Sequence, residues 1–156
     1  MTTQQKLETR HSDIEVARRV LADESAGLAA LSAVLDEAFV KAVDLMEAAK
    51  GRVVVSGMGK SGNVGQKIVA TLASTGTPAQ FVNAAEASHG DLGMITQQDV
   101  VLTLSYSGET AELSDLVAFT RLMKIPLIAQ PWLGRPTCAG GTGALPRASG
   151  YSTCGW

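Results

Sequence analysis

Twice in this chain an apolar run of strand type breaks into a glycine loop that opens a helical stretch. RVVV (52–55) runs into SGMGKSG (56–62), and VVLTLS (100–105) runs into YSGET (106–110). Short continuous apolar runs mark strands buried on both faces. After the first loop the period becomes helical, with Val64, Ile68 and Leu72 on one face, and the spacing predicts a helix over 61–75 that Gly76 and Pro78 stop. QFV (80–82) reads as a second strand, and AEASHGDLGMI (85–95) as a short helix and turn. Residues 99–105 read as a third strand, 110–123 as a helix and IPLIA (125–129) as a fourth strand. Upstream, Leu21, Leu28, Leu31, Leu35, Phe39, Ala42 and Met46 predict helix over 13–50, with Asp13 as a cap, Gly27 as a candidate break and Gly51 as the stop. Alternation of this kind implies an α/β fold in three layers, a parallel sheet between helices. Ligands bind such sheets beyond the carboxyl ends of the strands, where both glycine loops lie.

Composition narrows the function classes. A chain of 156 residues, 46% hydrophobic and 18% charged, holds one globular domain with a real core. A formal net charge of −2 offers no electrostatic case for nucleic acid. No apolar run approaches the roughly 20 residues that span a bilayer. The first residues, MTTQQKLETRHSD, are polar, so a cytoplasmic protein is expected. Cys138 and Cys154 have neither metal-ligand spacing nor a histidine cluster nearby, so neither zinc nor a disulfide is expected.

The text changes after Gln130. PWLGRPTCAGGTGALPRASGYSTCGW holds both tryptophans and both cysteines, and no Asp or Glu follows Asp115. Its glycines and prolines interrupt any period. A flexible tail and a shifted reading frame both produce such a segment. The chain therefore divides into a helical stretch (1–50), an α/β core (51–129) and an atypical tail (130–156), disordered or out of frame.

Three site types use loops like SGMGKSG. A P-loop needs a glycine five residues before Gly59, and that position is Val54. The dinucleotide fingerprint is met literally by Gly57, Gly59 and Gly62, but the second strand ends at Asn83 without the ribose-binding acid. A monophosphate site built from two loops fits best. In SYSGET (105–110), Ser105, Ser107 and Thr110 supply hydroxyls, Gly108 allows close backbone approach, and the next helix aims free N–H groups at an anion. Ordinary N-capping explains one hydroxyl, not three in six residues.

SGMGKSG, followed by ASTGTPAQFVNAAEASHGDLGMI and LSYSGETAEL, resembles the sugar isomerase (SIS) domain, and more narrowly the arabinose 5-phosphate isomerase family of the KpsF/GutQ type. The resemblance runs from about residue 13 to about residue 129. It implies five parallel strands in flavodoxin-like order, a homo-oligomer (dimer or tetramer), and interconversion of D-ribulose 5-phosphate and D-arabinose 5-phosphate in the supply of lipopolysaccharide sugar acid. On that resemblance Ser105, Ser107, Gly108 and Thr110 hold the sugar phosphate, Ser56 and Ser61 flank the pocket, and Lys60, His89 and Glu112 fall on active-site positions. The chain departs from the family at Tyr106, where Asn or Gln is usual: a tyrosine there either crowds the phosphate or faces outward. It departs again after residue 129. The family's further turn, helix, strand, second active-site Glu, later His and paired CBS domains have no counterpart here. A truncated or frame-shifted member is therefore expected, inactive or nearly so by itself, with a bare apolar sheet edge.

Aldose–ketose isomerisation moves a proton between adjacent carbons through an enediol and needs a base and oxyanion stabilisation, with no redox cofactor. This gives Glu112 proton transfer, Lys60 electrostatic stabilisation and His89 ring opening or proton relay. Each has a plainer reading: an acid favoured early in a helix, a cation neutralising phosphate, and a turn brace. Glu86, Asp91 and Glu109 read as structural. A phosphosugar sensor without catalysis uses the same domain.

Overall fold

In the computed structural model of the protein, which describes residues 3–106, 110–131 and 137–139, the strand-type runs assemble into a single sheet. Its strands are β1 (Val53–Gly57), β2 (Ala79–Asn83), β3 (Val100–Ser105), β4 (Leu127–Pro131) and β5 (Thr137–Ala139), in the order β2-β1-β3-β4-β5. The first four are parallel, as the alternation with helices predicts. β5 is not: it pairs antiparallel with β4, Leu127 opposite Ala139, whereas the family resemblance implies a fifth parallel strand. It also lies within the segment expected to be disordered, on the edge expected to be bare. The unpaired backbone groups of an edge strand are a template for any extended segment that can reach them, and Thr137–Ala139 takes that place. Residues 132–136 and 140–156 lie outside the described residues.

The chain divides into two compact units, residues 1–36 and 37–156. The first holds α1 (Thr3–Val34), a helix whose residues from Ser12 to Val34 are all exposed. It runs through Asp13 and Gly27, against the expected cap and break. Gln4, Gln5, Lys6, Leu7 and Glu8 are good helix formers that extend it upstream, and Ala and Leu on both sides of Gly27 offset a cost of about 1 kcal/mol for one glycine. The break comes at Leu35–Asp36 instead.

The second unit begins with α2 (Glu37–Glu47), followed by α3 (Gly59–Ser74), α4 (Ala84–Ala87), a 3-10 turn (Asp91–Met94), a second 3-10 turn (Ala111–Leu113) and α5 (Ser114–Met123). Strand alternation sends Val53, Val55, Val100 and Ile128 to one face, where Ala42, Leu45 and Met46 of α2 and Ile68, Val69 and Leu72 of α3 cover them. Val54, Val82, Val101 and Leu127 point to the other face, against Ala84 and Ala87 of α4 and Leu113, Leu116, Val117 and Phe119. Three layers result. Leu116, Leu127 and Ile128 are fully buried, and truncating any of them to Ala costs about 2–5 kcal/mol.

Gly51 does not end the preceding helix, which stops at Glu47. Its N–H donates to the Gln98 carbonyl at 2.7 Å, and a Cβ there would fall 2.3 Å from Asp99 Oδ1. The glycine is needed because the lead-ins to β1 and β3 touch. Beside it, Asp99 Oδ1 accepts from the Arg52 N–H at 2.7 Å, and Oδ2 accepts from the Thr96 N–H at 2.7 Å and its hydroxyl at 3.0 Å. The Arg52 guanidinium reaches Asp99 (Nε to Oδ1, 3.7 Å), the Gln80 amide oxygen and the Met94 carbonyl. Burial alone pushes the Asp99 carboxyl up; the Thr96 and Arg52 donors outweigh it and hold the group below its ordinary value. This clamp closes the amino edge of the sheet, away from the glycine loops. Among the described residues no helix is long and apolar enough to cross a membrane.

Candidate active site

Both glycine loops leave the same edge of the sheet from neighbouring strands. Gly57 at the end of β1 is in register with Leu104 of β3 on one side and Asn83 of β2 on the other. After β1 the chain turns to the α3 face; after β3 it turns to the α5 face. The chain thus leaves β1 and β3 toward opposite faces of the sheet, which makes their boundary the switch point at which doubly wound sheets bind ligands.

The first loop is shaped by backbone proximity. A Cβ on Gly57 would lie 3.1–3.2 Å from backbone atoms of Ser61, Gly62 and Leu104, and one on Gly62 would lie 3.1 Å from the Gly57 carbonyl oxygen. Gly59 sits between them at φ +53°, the left-handed region. These three glycines let β1 turn directly into α3. Among the described residues no side chain caps α3 at Met58, and the first N–H groups of a helix have no partner within it. Lys60 is exposed in that turn, and Ser61 beside it is half-buried. Ser56 is wholly buried, its hydroxyl without a hydrogen-bond partner among the described residues.

The second loop brings Ser105 and Thr110 together, their hydroxyl oxygens 2.7 Å apart. Thr110 leads into the 3-10 turn, so the expected helix over 110–123 begins as 3-10 at Ala111–Leu113 and becomes α-helical at Ser114. Glu112 is exposed in that turn. Tyr106 is 62% exposed. Ser107, Gly108 and Glu109 lie outside the described residues.

His89 arrives from the end of β2. Asn83 finishes β2 and its side-chain oxygen accepts from the Ala85 N–H at 3.1 Å, starting α4, and His89 follows in the turn after that helix. Its side chain is exposed, with Nδ1 3.7 Å from Glu86 Oε2. Among the described residues no hydrogen bond or ion pair joins Lys60, His89 and Glu112 to one another; they share the sheet edge through separate loops. What the sequence reading missed is Ser88, whose hydroxyl donates to Asp115 Oδ2 at 2.5 Å and links the His89 turn to α5. An acid in the first helical turn is legible as a dipole partner; its hydroxyl donor 27 residues upstream is not.

Comparison with known proteins identifies the family. The SIS domain model matches residues 45–129. An arabinose 5-phosphate isomerase, KdsD of Pseudomonas aeruginosa, is 54% identical over 129 residues, 83% of this chain and 38% of that protein. KdsD of Escherichia coli K12 is 48% identical over 122 residues, 78% of this chain and 37% of that protein. The chain thus spans less than half the length of these curated relatives. An E. coli CFT073 protein solved in complex with arabinose 5-phosphate superposes with a TM-score of 0.65 at 36% identity, over 83% of this chain and 65% of that one. The phosphoheptose isomerase GmhA of Neisseria gonorrhoeae, at 21% identity, shares the fold with a TM-score of 0.59, over 73% of each chain. With its two glycine loops on adjacent strand ends and a domain match over 45–129, this chain belongs to the SIS domain family.

Proposed function

We propose that the chain is the SIS part of an isomerase that interconverts D-ribulose 5-phosphate and D-arabinose 5-phosphate through an enediol. The observation that carries this is the 54% identity to a protein named arabinose 5-phosphate isomerase. The Ser105–Thr110 hydroxyl pair at the switch point supports it. In this reading the phosphate is held by Ser105, Ser107 and Thr110, with Gly108 letting the backbone approach and Ser56 and Ser61 bounding the pocket. The N–H groups at the start of α3 and the Lys60 ammonium add positive potential. Glu112 moves the proton between carbons 1 and 2, Lys60 stabilises the oxyanion that develops, and His89 assists ring opening. No redox step is involved. The SIS core is residues 51–129, with 1–50 as its helical segment; of the tail 130–156, Thr137–Ala139 joins the sheet at the β4 edge. The working protein is cytoplasmic and homo-oligomeric, and the exposed Ile14, Leu21, Leu28 and Leu31 of α1 support association between copies.

Calorimetric titration with arabinose 5-phosphate tests the binding site, and incubation with it in D2O tests the chemistry. Saturable binding that Thr110→Val weakens, with deuterium entering carbon 2 unless Glu112 is replaced by Gln, supports the assignment. Exchange that survives Glu112→Gln removes that residue from proton transfer. Binding without any exchange keeps the sugar-phosphate site and removes turnover by this chain alone, and no saturable binding overturns the reading.

A further inference from the structure

We infer that Ser88 and Asp115 are positioning residues that hold the His89 turn against the start of α5, and so fix His89 relative to Thr110 and Glu112. The inference rests on the proposed function above, which places those three residues around one sugar phosphate. His89 has little of its own to fix it. Its side chain is 77% exposed, and its charged neighbour, Glu86 at 3.7 Å, is only three positions away, in α4, so the contact is local. Its N–H donates to the Glu86 carbonyl at 2.9 Å, again a local contact. Ala84 and Ala87 of α4 pack with Leu113 and Leu116, which sets the height of the turn above the sheet but leaves small side chains with little directional control. The directional link is the hydrogen bond from the Ser88 hydroxyl to Asp115 Oδ2 at 2.5 Å, at the short end of the range for a hydroxyl on a carboxylate. It joins the residue next to His89 to a residue three positions after Glu112, bridging 27 positions of sequence. Positioning of this kind matters because errors of about 1 Å in a reacting group can cost on the order of a hundredfold in rate.

Asp115 has a second possible role, as an acid in the first turn of α5 favoured by the helix dipole. That role needs the charge; the link needs only an acceptor. Asp115→Asn keeps an acceptor without charge, Asp115→Ala removes both, and Ser88→Ala removes the donor at an exposed position that leaves the core intact.

The test is the imidazole NMR signal of His89 in the full chain. The chain has only two histidines, so His11→Gln assigns the signals. In the unsubstituted protein, saturating arabinose 5-phosphate is expected to shift the His89 resonance. In Ser88→Ala and Asp115→Ala the saturating shift is expected to fall about threefold or more, while the dissociation constant changes by less than about threefold, because phosphate contacts are retained. Asp115→Asn is expected to recover the shift of the unsubstituted protein. If Asp115→Asn behaves like Asp115→Ala, the charge at the helix start is what matters and the inference is overturned. Equal shifts in all four proteins overturn it as well, with the proposed function intact. If His89 does not respond in the unsubstituted protein although the sugar phosphate binds, its place in the site fails and the positioning role fails with it.

Discussion

Ser105 and Thr110 are readable as hydroxyls of one loop because they lie only five positions apart after a strand-type run. Their hydroxyls meet at 2.7 Å, and a hydrogen bond to a charged group contributes about 1.5–3 kcal/mol. Thr110→Val keeps the shape and removes the hydroxyl, so the dissociation constant for arabinose 5-phosphate should rise about tenfold or more. Calorimetry checks this, and an unchanged constant would move the phosphate elsewhere. Residue pairs remote in sequence were not readable. Nothing near Asp99 announces Arg52, 47 positions away, yet the two close the amino edge of the sheet. Asp99→Asn should lower stability by about 1–3 kcal/mol at neutral pH, since donors that now face a carboxylate lose it. The sign of the pH effect follows from the depressed folded-state pKa. The Asp99 contribution is complete above the unfolded-state value of about 3.9 and disappears as pH falls through the lower folded-state value. Thermal melts of the two proteins should therefore differ at pH 7 and converge in acid. A constant offset down to low pH would show that the carboxylate is not the source.

Elements whose glycines and apolar periods coincide were readable to within a few residues. The strand and helix around SGMGKSG form as β1 and α3, and the reason is the mutual approach of Gly57 and Gly62. Gly62→Ala places a methyl 3.1 Å from the Gly57 carbonyl oxygen. The backbone has to give, and a loss of about 1–3 kcal/mol in stability is expected from chemical denaturation, together with weaker sugar-phosphate binding. Full stability with full binding would mean that the loop relaxes freely. The ends of α1 and α2 were not readable. Capping residues such as Asp13 and breakers such as Gly27 shift local preference by about 1 kcal/mol, less than the summed preference of the helix formers around them. Likewise, a 3-10 turn at Ala111–Leu113 differs from α-helix by one hydrogen-bond step, which a pattern of apolar positions does not register.

At the scale of the molecule, α1 has 23 successive residues, Ser12 to Val34, without burial, among them Leu21 at 71% and Leu28 at 67% exposure. Helices gain most of their stability from packing, and the proposed association between copies would supply it here. Leu21→Glu should reduce the mass measured by sedimentation equilibrium and leave the melting of the α/β unit unchanged. An unaltered mass would place the association surface elsewhere. The order of strands and helices, the parallel sheet and the placement of two phosphate-type loops at one edge follow from the sequence alone, because each depends on local periods and on the short connections that parallel strands permit. Tertiary structure alone decided that residues 137–139 close the β4 edge in antiparallel sense and that Ser88 meets Asp115. It alone also set Arg52 on Asp99. Ser88 and Asp115 lie 27 positions apart and Arg52 and Asp99 lie 47 apart, so their attraction exists only after the sheet has brought them within hydrogen-bonding range, and no local preference encodes that distance. Residues 137–139 lie close to β4 in sequence, but the glycines and prolines around them carry no strand period, so only the free edge of β4 gives them a place in the sheet.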